Sequence, residues 1–261
     1  MNNIIVPGYK FKNAPYKIIR KIGQGGQCNV YLARKGGANF AVKELHATHG
    51  DPSIQAGYVN MFKREYELLS VLAHPVLPRA CAYFQENDRH FVAVEFISGE
   101  NLSQIMNRTK KPFPKEVVME IGLKISELLL YLSLREKPVL LRDIKPLNII
   151  ITHNGEVKFI DFTIAREYAF DKGDTLRLGS PGYAPPEQYN GKSEPKSDVF
   201  ALGVTMHELL SLEDPSLNPL KLSFKFNPPV SEGLCDLIRR ATALKPEERY
   251  SPLEFHNRLK E

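Results

Sequence analysis

Cysteine is scarce in this chain: Cys28, Cys81 and Cys235 are the only three among 261 residues. Their odd number and wide spacing exclude a disulfide framework and a thiolate metal site. A reducing compartment is expected, hence a cytoplasmic location. No apolar run reaches the roughly eighteen residues that a spanning helix needs. The opening Ile4-Ile5-Val6 is too short for the apolar core of a secretory signal. Internal repeats and low-complexity tracts are also missing. The net charge is only +5, with the Lys and Arg read as spread out, so a solvated surface is expected and no nucleic-acid partner. Hydrophobic content of 43% and charged content of 25% are those of an ordinary globular protein. The length suffices for a sizeable core in one domain or two lobes.

Against that plain background one stretch stands out. Val139-Leu140-Leu141 leads into Arg142-Asp143-Ile144-Lys145-Pro146-Leu147-Asn148, and Ile149-Ile150-Ile151 follows. After a turn at His153-Asn154-Gly155, Val157 to Ile160 leads to Asp161. Burial of the apolar flanks fixes the polar loop and points its side chains into one space. Two carboxylates, an amide and an ammonium there suit magnesium-assisted phosphoryl transfer. Asp143 would accept the proton of an attacking hydroxyl. Asn148 and Asp161 would hold Mg²⁺ through oxygen, and Lys145 would offset phosphate charge.

Two further features belong with this chemistry. A strand pattern from Tyr16 to Ile22 runs into Gly23-Gln24-Gly25-Gly26, and a second, Val30 to Ala33, follows. Glycines let backbone amides approach phosphate, because no Cβ stands in the way. A dinucleotide fold needs a helix after the glycines, so strand-glycines-strand excludes it. In Asn39 to Leu45, Lys43 sits on a strand. The next helix carries Phe62, Tyr66 and Leu69 on an apolar face, with Glu65 beside it needing a partner. Lys43 is the natural one. The intervening His46 and His49 read as a surface connection, not a metal site.

These motifs resemble the protein kinase family. Leu141 to Asn148 resembles the catalytic loop His-Arg-Asp-Leu-x-x-x-Asn, Asp161-Phe162-Thr163 resembles Asp-Phe-Gly, and Phe40-Ala41-Val42-Lys43 resembles Val-Ala-Ile-Lys. Gly179-Ser180-Pro181-Gly182-Tyr183-Ala184-Pro185-Pro186-Glu187 is similar to the close of an activation segment, 161–187. The resemblance spans Tyr16 to Leu259 and is closest in tone to bacterial Ser/Thr kinases. It implies an α+β fold of two lobes: a small β-rich lobe with one key helix over 16–94, a hinge over 95–98 and a mainly helical lobe over 99–261. Residues 1–15 would be an extension. The resemblance further implies ATP and Mg²⁺ as cofactors. Val94 would back the adenine, with Ile22, Val30, Ala41 and Ile150 around it and the backbones of Glu95 and Ile97 on its edge. Gly23, Gly25, Gly26, Lys43, Glu65 and Asp161 would serve the phosphates.

The same resemblance implies that Asp198 holds the catalytic loop by its amides, that Arg249 pairs with Glu187, and that Ser180 bonds Asp143 and Lys145. Three positions depart from the family pattern. Cys28 stands at the third glycine, where an exposed thiol would be open to oxidation. Leu141 replaces histidine, and Thr163 replaces the last glycine of Asp-Phe-Gly. The proline-rich 212–229 stretch predicts a reduced set of helices after Asp198. The expected activity is ATP-dependent phosphorylation of protein Ser and Thr hydroxyls. Autophosphorylation at Thr175, aided by Arg142 and Arg177, would need transient self-association. A nucleotide-binding pseudokinase and a small-molecule phosphotransferase are the alternatives.

Overall fold

The computed structural model describes residues 5–26, 28–46, 51–168 and 179–261. His49, Thr175 and Arg177 lie outside the described residues. The chain divides into two units, residues 1–98 and 99–261.

The first unit runs β1 (Lys17–Gln24), β2 (Cys28–Lys35), β3 (Ala38–Leu45), α1 (Pro52–Val71), β4 (Ala80–Glu86) and β5 (Arg89–Glu95). The strands form one antiparallel sheet in the order β1-β2-β3-β5-β4. Tight turns set this register. Gly36 and Gly37 have φ +55° and +85°, and Asn87 and Asp88 have φ 50° and 59°. Two successive positive φ values match the twist of a hairpin. Asp51 caps α1 by accepting the Ser53 amide at 2.8 Å, and Pro52 suits the first helical turn. The helix buries Phe62, Glu65, Leu68 and Leu69 and packs on β4 and β5. Tyr66, expected on that face, is only half-buried.

Strand alternation divides the sheet. Tyr31 pairs with Val42 and Val42 with Ala93, so these three share one face with Ile18, Ala33, Phe84 and Phe91. Residues 5–16 cover that face. Ile5, Phe11 and Tyr16 are buried in it, and Phe11 meets Phe84 and Phe91 edge-on with ring centroids 4.9 Å apart. The described part of the expected extension is thus woven into the core. Buried Glu86 fastens it. Its carboxylate accepts the Tyr9 hydroxyl at 2.5 Å and the amides of Lys12 and Asn13 at 2.6 and 3.0 Å.

The second unit runs β6 (Gly99–Asn101), α2 (Leu102–Thr109), α3 (Lys115–Ser133), β7 (Val139–Leu140), β8 (Ile149–Thr152), β9 (Val157–Phe159), β10 (Arg166–Glu167), α4 (Pro186–Tyr189), α5 (Pro195–Ser211), α6 (Glu232–Ala241) and α7 (Pro252–Lys260). Its centre is α5, buried on every side from Ser197 to Leu210. A helix apolar all round belongs in a core. Helix α3 packs against it so closely that a Cβ on Gly122 would meet Met206 Sδ at 2.9 Å. On α3 it is Val118, Ile121, Ile125, Leu128 and Leu132 that are buried, while Val117 is half-exposed. Between Ser211 and Glu232 there is no helix, in line with the prolines there. Buried His207 pins this stretch: Nε2 accepts the Phe224 amide at 3.2 Å, and Phe224 and Phe226 stand edge-on to the ring. Among the described residues no helix is long and apolar enough to cross a membrane.

Burial by itself would raise the pKa of Glu86, but the bonds from Tyr9, Asn13 and Lys12 outweigh it and hold the carboxyl below its ordinary value. The resulting stability is present above the usual carboxylate range and is lost as pH falls through it. Glu86→Ala is expected to cost roughly 2 to 3 kcal/mol by stranding these donors, and to flatten the acid limb of a urea-denaturation pH series. An unchanged midpoint would show that the arm does not depend on this carboxylate.

Candidate active site

Asp198 opens the site from below. It lies in the first turn of α5, which a reciprocal bond between Glu194 and Ser197 caps. Its carboxylate is buried, and it accepts the Leu141 amide at 2.8 Å and the Arg142 amide at 2.7 Å. Burial pushes its pKa up to about 6, against the pull of these two amides and of the Arg142 charge. Arg142 adopts φ +68°, a conformation that side-chain-bearing residues rarely hold unless surrounding bonds impose it. Gln188 Nε2 adds another, donating to the Arg142 carbonyl at 2.8 Å.

The turn this creates presents Asp143. A single 3-10 turn over Pro146–Asn148 follows, then β8 and β9, paired through Ile149 and Phe159. The Asn148 carbonyl accepts the Ile160 amide at 3.0 Å, which sets Asp161 beside the loop. Asp143 Oδ2 accepts Lys145 Nζ at 2.8 Å and Asn148 Nδ2 at 2.9 Å. Its Oδ1 accepts the Ser180 hydroxyl at 2.6 Å, and Lys145 Nζ also reaches Ser180 Oγ at 2.5 Å. The Asn148 amide nitrogen is committed to the Asp143 carbonyl and carboxylate, so Oδ1 is the atom it can offer a metal. Asp161 Oδ1 accepts both the amide and the hydroxyl of Thr163, at 3.0 and 2.7 Å. A carboxylate and an amide oxygen are hard donors that suit Mg²⁺ when phosphate oxygens and water complete the shell. The residues present therefore fit that ion.

Phe162 and Leu141 are fully buried behind this surface, and β10 pairs with β7 to carry the chain away. The far end of the segment is anchored by α4. Glu187 accepts Arg249 Nη1 and Nη2 at 2.6 and 3.0 Å, and Ser197 Oγ donates to it at 2.7 Å. The remaining Arg249 donors reach the carbonyls of Ala243 and Leu244, and its plane lies over Phe200. Gly182, at φ +84°, packs so tightly on Pro215 that a Cβ would come within 2.4 Å of its carbonyl carbon. Half-buried Ile150 of β8 pairs with Lys158 of β9.

In the first unit, register aligns the expected nucleotide residues. Lys43 lies opposite Val30 and Val92, and Ala41 opposite Leu32 and Val94, all on the sheet face away from the aromatic core. Buried Lys43 is ion-paired with buried Glu65 of α1. Gly23 ends β1, with Ile22 before it, and Gly25 and Gly26 form the turn. A Cβ on Gly23, Gly25 or Gly26 would meet nothing closer than 3.8 Å, so the fold itself does not require glycine there. Without a Cβ the backbone there is left open to close approach from outside. Gly25 is held from both sides, its amide donating to the Cys28 carbonyl at 2.9 Å and its carbonyl meeting His46 Nε2 at 3.1 Å. Cys28 is buried at the start of β2, which speaks against the alternative of an exposed thiol open to oxidation. The Glu95 amide is already donated to the Arg79 carbonyl at 2.9 Å. Only its carbonyl is left for an adenine edge. Ile97 lies two residues beyond β5.

Sequence reasoning missed one buried pair. The Tyr183 hydroxyl donates to Glu208 Oε2 at 2.5 Å across a separation of 25 residues. Burial and the Glu208 charge raise the Tyr183 pKa. Burial raises Glu208 to about 7, despite the Tyr183 bond, with Asp214 adding to the rise. The signal available was a glutamate inside an otherwise apolar helix, which needs a partner.

Comparison with known proteins places the chain. A family model described as the protein kinase domain matches residues 16–259, and the chain belongs to that family. It is 30% identical over 257 residues to the serine/threonine-protein kinase PrkC of Bacillus subtilis, covering 92% of this chain and 39% of that one. It is 29% identical over 272 residues to the tyrosine-protein kinase MasK of Myxococcus xanthus, covering 92% of this chain and 41% of that one. The chain thus spans about two fifths of these relatives. The crystal structure of the Mycobacterium tuberculosis PknI kinase domain is similar with TM-score 0.76 and 26% identity, over 98% of this chain and 99% of that one. The α+β kinase fold expected from the sequence is the fold observed.

A carboxyl raised by folding gives stability that is full below its unfolded pKa and is lost as pH rises through the folded value. For Glu208 the window runs from 4.5 to about 7, a change of about 3 kcal/mol. Glu208→Gln keeps an oxygen for Tyr183 and should remove that share of the decline in urea midpoint between pH 5 and 8, leaving the part due to Asp198. An identical decline in both proteins would refute the assignment.

Proposed function

We propose that this chain transfers the γ-phosphate of Mg²⁺-bound ATP to Ser and Thr hydroxyls of protein substrates. The observation that carries this reading is the Asp143 carboxylate, held by Lys145 and Asn148 on one oxygen with a hydroxyl, that of Ser180, on the other. A substrate hydroxyl arriving at Asp143 would be oriented in line with the phosphate and would give up its proton there as the O–P bond forms. Lys145 would neutralise charge on the transferred group. Bound Mg²⁺ would supply charge neutralisation of the phosphates, through Asn148 Oδ1 and Asp161. Lys43, positioned by Glu65, would take the other phosphates, and the amides of Gly23, Gly25 and Gly26 would lie over them. The adenine would rest against Ile22, Val30, Ala41, Val94 and Ile150, with the Glu95 carbonyl and the Ile97 amide at its edge.

Preference for Ser and Thr over Tyr is favoured by the contact of Lys145 with Ser180 beside Asp143. The three departures from the family pattern are each compatible with activity. Buried Cys28 continues β2, Leu141 fills the core, and Thr163 steadies Asp161. In this reading the kinase domain is 16–261, with lobes over 16–94 and 99–261 and a hinge over 95–98. It acts in a reducing, cytoplasmic compartment and phosphorylates its own Thr175 during transient self-association. Arg142, whose Nη1 reaches the Ile164 carbonyl at 3.4 Å, would receive that phosphate as a charge-assisted pair.

Mg²⁺-ATP should raise the melting temperature, as any ligand of the native state does. Asp143→Asn should retain that shift while phosphate transfer to a Ser/Thr peptide falls by at least about a hundredfold. Wild-type turnover in Asp143→Asn would refute the assignment of the proton acceptor. Intact-mass analysis after incubation with Mg²⁺-ATP should show phosphate on Thr175. Its absence from a fully active enzyme would remove autophosphorylation from the reading.

A further inference from the structure

The positive charge is not dispersed as the sequence reading held. Residues 1–43 contain eight Lys or Arg and no Asp or Glu. The whole chain carries only +5, so everything after that segment is net acidic. Folding concentrates this imbalance further. The arm meets β1 at a bridge between Lys10 and Lys17, and Lys17 lies opposite Arg34 of β2. Directly paired residues share a face with their Cβ atoms about 5 Å apart, so three exposed cations stand side by side. Like charges in such positions repel. Arg34 finds only the amide oxygen of Asn39, at 3.4 Å. Arg20 and Lys21 follow on β1, both exposed. No ion pair among the described residues involves Lys10, Lys17, Arg20, Lys21 or Arg34. Lys17 and the glycine turn stand at opposite ends of β1, some 23 Å apart at the usual strand rise. Lys10, Lys17 and Arg34 therefore lie well away from the phosphate-binding end of the sheet, while Arg20 stands only about 10 Å from Gly23 along the strand.

β1 is also an edge strand. The arm pairs with its outer side only as far as Ile18, through bonds at Gly8 and Tyr9 of 2.8 Å each. Beyond Ile18 no described residue pairs with that edge. The cations grouped on the arm, β1 and β2 repel every candidate occupant except an acidic one.

We propose that the arm–β1–β2 edge is a docking surface for an extended acidic segment of a partner protein. The partner's carboxylates would lie across from Lys10, Lys17 and Arg34, relieving the repulsion of the row. Two other anionic partners fit less well. A flat anionic membrane would reach only part of the charge of this region, since Lys35 turns to the opposite face, its ammonium 5.5 Å over the Tyr16 ring. Single-stranded nucleic acid needs exposed rings for base stacking. Phe11, Tyr16 and Tyr31 are buried in the core, and half-buried Tyr9 packs against it with its hydroxyl committed to Glu86.

The test uses fluorescence anisotropy with a labelled peptide of five Thr-Glu repeats, which puts all glutamates on one face of a strand. The whole chain should bind it, with affinity falling steeply as salt is raised, and should not bind the matching Thr-Lys peptide. The triple substitution Lys10→Gln, Lys17→Gln, Arg34→Gln should weaken binding about tenfold or more, as loss of facing charges does. The triple substitution Lys110→Gln, Lys111→Gln, Lys115→Gln removes equal charge from the second unit and should change binding less than about twofold. Phosphotransfer to a neutral peptide should be unaltered in both, which separates this surface from the catalytic assignment. No binding by the unaltered chain, or equal weakening by the two triples, overturns the proposal. So does tighter binding to phosphatidylserine vesicles or to a uridine 20-mer than to the acidic peptide.

Discussion

The second unit depends on one buried carboxylate. Asp198 sits where an apolar helix begins, and burial there favours its neutral form. What keeps it useful is the pair of amides from Leu141 and Arg142. In exchange, the loop accepts a left-handed residue at Arg142. A strained residue persists only when its surroundings over-determine it, and here α5, α4 through Gln188, and the β7 strand all contribute. The loop backbone is thus held from the protein interior at Leu141 and Arg142, while the side chains of Asp143, Lys145 and Asn148 are oriented by their own contacts.

Much of this was legible in the residues. Charge burial demanded the pair of Lys43 with Glu65, the family resemblance implied Asp198 with the loop amides and Glu187 with Arg249, and each appears in the structure. Strand and helix positions followed from periodicity and turn residues. What stayed hidden shares a physical reason. Tyr183 with Glu208, Glu86 with the arm, and Thr163 with Asp161 depend on contacts set by tertiary packing or by local rotamers, which leave no periodic trace. The burial of Cys28 left no trace because its family position is a flexible glycine, whereas here β2 starts at that residue. Tyr66 falls at the edge of the buried face of α1, where Leu68 and Leu69 take the core positions, because a helical face is too broad for periodicity alone to fix its margins.

Threonine in place of the glycine after Asp161-Phe162 has a defined role. Its hydroxyl and amide both bond one carboxylate oxygen, which fixes the orientation of the group. If Asp161 holds Mg²⁺ as proposed, such preorganisation lowers the cost of binding. A glycine supplies neither the hydroxyl nor a restricted backbone.

The arm has a practical consequence for anyone handling this protein. The family match begins at residue 16, and trimming a chain to its family boundary is routine. Here that cut would remove Ile5, Tyr9 and Phe11, and with them the cover over Phe84 and Phe91. A shortened chain would carry a bare aromatic patch beside an unpaired strand edge, the combination that drives chains to aggregate. The homology boundary and the folding boundary are different places, and the second lies at least eleven residues upstream of the first, at Ile5 or before.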